Sequence, residues 1–333
     1  MPELRQNVIT RDWVIIATER ARRPDQFARK KVNRNPLSSY DKNCPFCVGN
    51  EHLTKPETFR LSGQQGWKVR VVPNKFAALS LEGERVRKIR GIYRSMSAVG
   101  THEVIIEHPR HELTTATMSV EEVAGILSVY LERYRVAKKD PRFEAIIIFK
   151  NYGEAAGTSL QHPHSQLVAT PVVPSQIRMR IDEAIRYFDD TGECVFCRTL
   201  GDELEARERV IFESAHFVAF VPYAALSPFH TWIFPRRHSS SFAEITLAEV
   251  NDLALNLKTT LAKLHHGLND PDFNYTIRSI PTRDEHTEYF HWYLSIVPRI
   301  SRTAGFELGS GMFINTALPE ESAKYLRELE IPD

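Results

Sequence analysis

The feature that most constrains the fold of this 333-residue chain is an internal duplication. Each half begins with a Cys-x-x-Cys pair and then repeats one series of landmarks. The series runs through Val-Pro, Ala-Ala-Leu-Ser, a strand-like apolar run, a histidine, a helix start, Asp-Pro-x-Phe and a second histidine. Because so many landmarks recur in one order, we infer that one structural unit occurs twice.

Capping boxes predict one long helix in each half. Ser119 and Glu122 form the first box, and Thr246 and Glu249 form the second. Apolar residues recur at three- and four-residue spacing after each box, and an Asp-Pro step then stops the helix. The predicted fold class is therefore α+β, with an antiparallel sheet and one long packed helix in each half.

The length of the chain allows two domains of ordinary size. A polar, glycine-containing stretch at 187–193 precedes the second Cys pair, so we predict domains of residues 1–188 and 189–333. Lys and Arg number 43 against 42 Asp and Glu, which argues against bulk electrostatic binding of nucleic acid. The N-terminus lacks a signal-peptide pattern, and the apolar run 13–17 is too short to span a membrane. We therefore expect a cytoplasmic protein with no nucleic-acid or membrane partner.

All four cysteines lie in Cys-x-x-Cys pairs, which in a cytosolic chain indicate metal or redox chemistry. A thioredoxin-like pair opens a helix after a strand, whereas Cys44 follows a polar loop, so metal binding is favoured. Redox chemistry and incidental packing remain the alternatives, as does a surface position for either histidine that follows an arginine. The duplication predicts two structural Cys2His2 zinc sites with filled tetrahedral shells: Cys44, Cys47, His111 and His162 in the first half, and Cys194, Cys197, His238 and His291 in the second.

A His-x-His pair carries the clearest sign of chemistry. On an extended segment His162 and His164 point to one face, so one ring can be anchored while the other meets a substrate. A neutral imidazole, with a pKa of about 6.5, is a usable nucleophile at pH 7. The second half has Tyr293 in the place of His164, and a phenol with a pKa near 10 is a poor nucleophile. We therefore predict one nucleophile, His164, and a silent second half; the alternative for His164 is a buried structural histidine.

These motifs resemble those of the galactose-1-phosphate uridylyltransferase family, a branch of the histidine-triad superfamily, over nearly the whole chain. The segments that carry the resemblance are Cys44–Cys47, Asn74 with Phe76–Leu79, Asn151–Ser159 and His162-Pro163-His164-x-Gln166. The resemblance implies two tandem histidine-triad-like domains, a catalytic one at 1–188 and a silent one at 189–333. It also implies a homodimer with two structural zinc ions and no catalytic metal.

The resemblance assigns roles to residues around the nucleophile. It implies that His164 becomes nucleotidylated and that Gln166 hydrogen-bonds the phosphoryl oxygens of the covalent intermediate. Donors from the glycine-rich segment would meet the negative charge that develops on these oxygens, with Ser159 counted as catalytic. The implied substrate contacts, besides Gln166, are Arg20, Arg23, Asn74, Asn151, Gly157, Thr158 and Ser159. For the two arginines, a solvated charged surface is the alternative.

The implied reaction is ping-pong transfer of a nucleotidyl group from a nucleotide sugar to a sugar 1-phosphate. The first interpretation is a UDP-glucose:hexose-1-phosphate uridylyltransferase of galactose metabolism. The chain departs from that pattern at Lys75, where the family has aspartate, and at Gly309–Met312, where it has Gly-Tyr-Glu-Met. Loss of that acid should make a hexose pocket permissive.

Two other interpretations stay open. Ser165 before Gln166 and the run 305–309 resemble a sister branch that includes the plant ADP-glucose phosphorylase, in which phosphate accepts the nucleotide from an adenylylated histidine. The second interpretation is therefore ADP-glucose phosphorolysis. The third, from another class, is a zinc-stabilised nucleotide-binding protein without turnover.

Overall fold

A computed structural model describes residues 1–17, 27, 37–64 and 66–332 of the chain. The strands in these ranges are β1 (Glu3–Gln6), β2 (Trp13–Ile16), β3 (Phe59–Gly63), β4 (Gly66–Pro73), β5 (Arg87–Arg90), β6 (Tyr93–Met96), β7 (Thr101–Ile106), β8 (Ala145–Tyr152), β9 (His164–Thr170), β10 (Val210–Glu213), β11 (Phe217–Phe220), β12 (Thr231–Pro235), β13 (Phe273–Arg278), β14 (Tyr293–Pro298) and β15 (Phe313–Asn315). The α-helices are α1 (Val120–Lys138), α2 (Ser175–Thr191), α3 (Val195–Ala206), α4 (Leu247–Leu268), α5 (Gly305–Ser310) and α6 (Pro319–Glu328).

One ten-stranded antiparallel sheet runs through both halves of the chain. From the outer edge to the centre, the first half has β3, β4, β7, β9 and β8, and the second has β10, β11, β12, β14 and β13. The two inner strands pair directly, with Phe149 of β8 opposite Thr276 of β13. The repeated strand order confirms the duplication and the predicted α+β class. It also adds a feature that was not predicted, because the two halves share a single sheet.

The long helices α1 and α4 begin where the sequence predicts. The Ser119 hydroxyl accepts from the N–H of Glu122, and the Glu122 carboxylate accepts from the N–H of Ser119. Thr246 and Glu249 make the same reciprocal pair at the start of α4. Both boxes satisfy N–H groups that a helix cannot bond internally, and both helices end before their Asp-Pro steps.

The two long helices pack against each other on one face of the sheet and bury a shared core. Its members include Leu127 and Tyr130 of α1, Leu257 of α4, Ile148 of β8 and Tyr275 of β13. Full burial of each such apolar side chain stabilises the fold by roughly 1.5–3 kcal/mol. Because the core takes side chains from both halves, it holds the sheet together across the β8–β13 junction.

The opposite face of the sheet differs between the halves. In the second half α2 and α3 cover it, and Ile181, Phe196 and Tyr293 belong to one buried cluster there. In the first half a smaller cluster surrounds Phe46, and His164 stays half-buried. The predicted nucleophile therefore lies on the more open part of this face.

The remaining elements lie outside the main sheet. β1, β2 and β15 form a small sheet in which β15 runs parallel to β2, and β5 pairs with β6. Helix α2 continues to Thr191 and ends at Gly192, whose φ of 73° is left-handed. The boundary proposed between residues 188 and 189 therefore falls within the last turn of α2, and it stays a prediction. In the part of the chain that the structure describes, no helix has the length and apolarity needed to cross a membrane.

Candidate active site and metal centres

The predicted nucleophile is the first residue of β9. His164 lies opposite Ile106 of β7, and its Nδ1 is 2.8 Å from the carbonyl oxygen of His162. A carbonyl oxygen can only accept, so Nδ1 carries the hydrogen and Nε2 keeps its lone pair. Burial lowers the pKa of His164, and the positive charge of Lys150 lowers it further. The imidazole is therefore neutral at pH 7, in the tautomer that a nucleophile needs.

Both rings of the His-x-His pair lie on one side of the chain, against Phe46. The Phe46 ring centroid is 6.0 Å from that of His162 and 5.4 Å from that of His164. β9 begins at His164, so His162 lies in the preceding loop rather than on the strand where it was predicted. The second half repeats this arrangement, since β14 begins at Tyr293. His162 is held by contacts of both ring nitrogens, with Nδ1 3.6 Å from Cys47 Sγ and Nε2 2.7 Å from the His108 carbonyl oxygen.

Gln166 lies on the same face of β9 as His164. Its Oε1 is 2.7 Å from His102 Nε2 and 3.3 Å from Asn74 Nδ2. Asn74, an implied substrate contact, therefore touches Gln166 directly. His102 was not predicted as a site residue from the sequence, although the duplication contains a signal for it. His230 holds the matching place in the second half, with its Nε2 2.9 Å from Ser295 Oγ.

The glycine-rich segment forms a tight turn after β8. Gly153 and Gly157 flank a short 3-10 turn and have φ angles of 85° and 87°, which L residues adopt only with strain. The N–H groups of Gly157 and Thr158 bond back to carbonyl oxygens of the same turn, at 2.9 and 3.3 Å. Ser159 makes no hydrogen bond to another described residue. Of the three predicted donors in this segment, Ser159 is therefore the one free to meet an anion.

The second half of the chain supports this turn from below. Asn274 of β13 donates from Nδ2 to Asn151 Oδ1 at 2.8 Å and to the carbonyl oxygen of Ala156 at 2.9 Å. A carboxylate oxygen of Asp272 accepts from the N–H of Ala155 at 2.6 Å. Because the oxygen of the Asn151 amide is occupied, its NH2 group remains available as a donor.

A pocket of about 1350 Å³ brings most of the predicted groups together. Of the predicted residues that the structure describes in this half, Cys47, Asn74, Gly157 and Gln166 are not among those that line it, although Gln166 shares a strand face with His164. Arg20 and Arg23 lie outside the described residues. The predicted residues in the pocket wall are Cys44, His111, Asn151, Thr158, Ser159, His162 and His164.

The first predicted metal set converges in a buried cluster. The donor atoms of Cys44, Cys47, His111 and His162 all lie within 4.8 Å of one another. Cys47 Sγ is 3.5 Å from His111 Nδ1 and 3.6 Å from His162 Nδ1. Zinc bonds of about 2.3 Å to sulfur and 2.0–2.1 Å to nitrogen place such atoms roughly 3.5 Å apart in a tetrahedron. His162 Nε2 donates to the His108 carbonyl oxygen at 2.7 Å, which leaves Nδ1 free as a ligand, so the set fits a zinc ion.

The second set also converges but is less enclosed. The donor atoms of Cys194, Cys197 and His238 lie within 4.8 Å of one another, and Cys197 Sγ is 3.2 Å from His238 Nδ1. His291, the fourth predicted ligand, is not part of that group of three, although its Nδ1 lies 3.3 Å from Cys197 Sγ. Cys194 is the N-cap of α3, so this pair opens a helix as a thioredoxin-like pair would. Two imidazole nitrogens close to one cysteine sulfur are typical of a metal site rather than a redox pair. Both Cys/His clusters can therefore hold a metal ion.

A buried charged network, which was not predicted from the sequence, lies beneath His164. Lys150 and Glu107 form an ion pair whose side chains are 1% and 0% exposed. The Tyr130 hydroxyl donates to Glu107 at 2.9 Å and lies 2.6 Å from the Tyr275 hydroxyl. The N–H of Glu107 donates to the Pro163 carbonyl oxygen at 3.0 Å, which ties the network to the His-x-His loop. A buried pair tolerates no loss of one partner, so this network fixes the floor of the site.

Comparison with known proteins shows that this fold and site belong to a class of nucleotidyltransferases. Residues 1–174 match the family model of the galactose-1-phosphate uridyl transferase N-terminal domain, and residues 147–330 match that of its C-terminal domain. The chain belongs to the galactose-1-phosphate uridylyltransferase family. The resemblance seen in the sequence is thereby confirmed.

Individual relatives cover nearly the whole chain. An ADP-glucose phosphorylase of Arabidopsis thaliana is 39% identical over 99% of this chain and 93% of its own. A galactose-1-phosphate uridylyltransferase of Thermotoga maritima is 30% identical over 99% of each chain. Among solved structures, the Arabidopsis thaliana ADP-glucose phosphorylase with bound ADP-glucose has a TM-score of 0.86 and 36% identity over the full length of both chains. A uridylyltransferase structure has a TM-score of 0.77 and 27% identity, over 98% of this chain and 97% of the other.

Proposed function

We propose that this protein transfers a nucleotidyl group from a nucleotide sugar through a covalent intermediate on His164. The observation that carries the proposal is the state of that imidazole. Its Nδ1 is occupied by the His162 carbonyl oxygen, its pKa is lowered by burial, and its ring lies in the wall of a large pocket. A histidine held only for structure has no need of a free Nε2 beside a glycine-rich turn.

In the first step Nε2 of His164 attacks the α-phosphorus of the nucleoside diphosphate sugar. A phosphorus–nitrogen bond forms, and the bond from that phosphorus to the bridging oxygen breaks. The sugar 1-phosphate leaves with the electron pair of the broken bond. Ser159 and the free NH2 group of Asn151 stabilise the negative charge that grows on the non-bridging oxygens. Gln166 would do the same from β9.

In the second step an acceptor oxygen attacks the same phosphorus and displaces Nε2, which restores the enzyme. We propose inorganic phosphate as the acceptor and ADP-glucose as the donor, so that the products are glucose 1-phosphate and ADP. The support is the 39% identity to the ADP-glucose phosphorylase, against 30% to the bacterial uridylyltransferase, and the TM-score of 0.86 with its ADP-glucose complex. Lys75 and Ser165, which depart from the uridylyltransferase pattern, support the same choice.

The second candidate is the hexose-1-phosphate uridylyltransferase reaction that the sequence reading ranked first. Both family-model matches and the full-length similarity to the Thermotoga maritima uridylyltransferase favour it. The segment Gly309–Met312, in which this chain lacks the tyrosine and acid of the family, does not contribute to the wall of the His164 pocket within one chain. A homodimer, which stays a prediction, would be required for that segment to reach a bound hexose.

The donor and the acceptor can be tested in two stages. The intact-protein mass should show one added AMP per chain after mixing with ADP-glucose and little or no added UMP after mixing with UDP-glucose. His164→Ala should show neither adduct. The isolated adduct is then mixed with phosphate, glucose 1-phosphate or galactose 1-phosphate. Fastest discharge by phosphate supports the phosphorylase. A UMP adduct discharged fastest by galactose 1-phosphate would replace it with the uridylyltransferase, and no adduct from either donor would leave a binding protein without turnover.

We propose that both Cys/His clusters hold structural zinc. Each set supplies four protein ligands, which fill a tetrahedral shell and leave no position for a substrate. Zinc bound there would fix the loop that carries His162, and through the His162 carbonyl oxygen it would set the position of His164. Elemental analysis of the purified protein should give two zinc ions per chain.

A further inference from the structure

The orientation of the Gln166 amide can be worked out from its neighbours. Two nitrogens approach its Oε1: His102 Nε2 at 2.7 Å and Asn74 Nδ2 at 3.3 Å. If both donate, they hold that oxygen as an acceptor on their side, and the NH2 group must point away from them. The question is therefore which tautomer His102 has and which way the Asn74 amide is turned.

Two backbone N–H groups answer this question, because a backbone N–H can only donate. The N–H of Ala78 points at His102 Nδ1, 3.3 Å away, so Nδ1 is unprotonated and Nε2 carries the hydrogen. The N–H of Phe76 points at Asn74 Oδ1, 2.9 Å away, so the Asn74 NH2 group is the donor on the other side. Asn74 Nδ2 and His102 Nε2 are also 3.0 Å apart, but both nitrogens carry hydrogens in this arrangement, so both donate to the Gln166 oxygen.

We propose that His102 is a positioning residue for nucleotidyl transfer: it fixes the Gln166 amide with its NH2 group toward the phosphoryl group carried by His164. The inference rests on the proposed function and deepens it. An amide free to rotate would present its oxygen to a negatively charged phosphoryl group about as readily as its nitrogen. With Oε1 held by two donors, the site presents a hydrogen-bond donor before the charge develops.

The silent half repeats the arrangement without the chemistry. The N–H of Leu226 points at His230 Nδ1 at 3.4 Å, and His230 Nε2 lies 2.9 Å from Ser295 Oγ. The residue two positions before Ser295 is Tyr293, where the first half has its nucleophile. A change at His230 therefore tests what such a histidine does for the fold, separately from any effect on transfer.

The test measures the single-turnover rate of adduct formation in four variants. His102→Ala should lower the rate roughly tenfold, the effect of one well-placed hydrogen bond, while the dissociation constant of the nucleotide sugar changes less than about twofold. His102→Gln should recover most of the rate, because its amide nitrogen can donate from near the position of Nε2. His230→Gln should leave the rate unchanged. If His102→Ala is too unstable to purify, His102→Met fills the same space without a donor and replaces it.

A double-mutant cycle separates positioning from a structural role. In a Gln166→Ala background, His102→Ala should slow adduct formation by less than about twofold, because the group that it positions is gone. An undiminished tenfold loss in that background would overturn the proposal, as would a wild-type rate in His102→Ala itself. A wild-type protein that forms no adduct would overturn the proposed function as well. Melting temperature and metal content of each variant show whether a loss of rate comes from unfolding.

Discussion

The two halves of the molecule share a framework and differ on one face of the sheet. In the first half His164 is half-buried at a pocket wall. In the second half Tyr293 takes the same place on β14 but is only 2% exposed. Ring centroids of Phe234 and Trp232 lie 4.9 and 5.2 Å from the Tyr293 ring, so aromatic side chains fill the space that a substrate would need.

The difference teaches that the framework and the site are separable. Each half keeps its cysteine pair, its anchoring histidine and the phenylalanine between the cysteines. That phenylalanine packs on the residue at the nucleophile position in both halves, as Phe46 on His164 and Phe196 on Tyr293. What changes is the covering of the face by α2 and α3 and the side chain two positions after the anchoring histidine. The same backbone arrangement therefore forms an open site in the first half and a packed core in the second.

The largest effect expected from this comparison is at the nucleophile. His164→Ala should lower nucleotidyl transfer by more than ~10³-fold, or roughly 4 kcal/mol of activation free energy, because no other group forms the covalent bond. Tyr293→Phe in the silent half should keep the wild-type rate within about twofold. The measurement is steady-state turnover together with adduct mass. Residual turnover of more than a few per cent in His164→Ala would mean that the wrong residue was chosen.

Loss of a metal ligand should separate stability from activity in the two halves. Cys194→Ser should lower the free energy of unfolding by roughly 3–5 kcal/mol and release one zinc ion, with little change in turnover per folded molecule. Cys47→Ser should lower the free energy of unfolding by a similar amount and should also lower turnover, because its cluster holds the loop before His164. Urea unfolding, zinc content and activity are compared for both variants. Equal losses of turnover would contradict the division of roles between the halves.

The second half should also contribute acid sensitivity. Burial, and after it the positive charges of Arg278 and Arg180, lowers the pKa of His230 from 6.5 to about 3. The native state therefore binds a proton at His230 only far below the pH at which the unfolded chain binds it. The free energy of unfolding keeps its full value above pH 6.5, and part of it is lost as the pH falls toward 3. At pH 5 the loss is about 2 kcal/mol.

His230→Gln should remove this pH dependence, because an amide does not titrate. The free energies of unfolding of wild type and His230→Gln are measured in urea at pH 7 and pH 5. Their difference should move by about 2 kcal/mol in favour of the variant at the lower pH. Effects of acid on the metal sites are common to both proteins and cancel. Parallel pH dependences would show that His230 is protonated in the native state.

The smallest expected effect sharpens the comparison most, since it concerns a silent-half residue that supports the active half. Asn274→Ala should lower turnover roughly fivefold, about 1 kcal/mol, because Asn151 and the carbonyl oxygen of Ala156 lose their shared donor. Thr276→Ala, on the same strand and face, is the matched control and should not change turnover. Equal behaviour of the two variants would show that the second half supports the turn through its backbone alone.

Much of the framework could be predicted because its signals are local or repeated. A capping box needs only Ser119 and Glu122, and the ligand positions were found because each half repeats them. The pairing of β8 with β13 could not be predicted, since Phe149 and Thr276 are far apart in sequence and neither carries a signal for its partner. The covering of Tyr293 by α2 and α3 was missed for the same reason.

The parts of the site that escaped prediction are single residues that work through neighbours. In the sequence, Lys150 follows an apolar run and is typical of a residue at the exposed end of a strand. Only the fold shows that it is buried and paired with Glu107. His102 is one histidine among thirteen in the sequence. Its proposed role can be inferred only from the folded structure, which places it between the N–H of Ala78 and the side-chain amide of Gln166. His164 could be chosen as the candidate nucleophile because it differs from Tyr293, its counterpart in the second half.

The direct pairing of β8 with β13 also bears on how the halves could diverge. Two identical chains that met along such a strand pair would carry every substitution twice, so losing the histidine from one would lose it from both. Within one polypeptide, a tyrosine can occupy one copy while the other keeps its imidazole. Yet the second half cannot be removed without a cost. Removing β13 would leave the Ile-Ile-Ile-Phe run of β8 as an exposed, aggregation-prone sheet edge next to β9, the strand that carries His164.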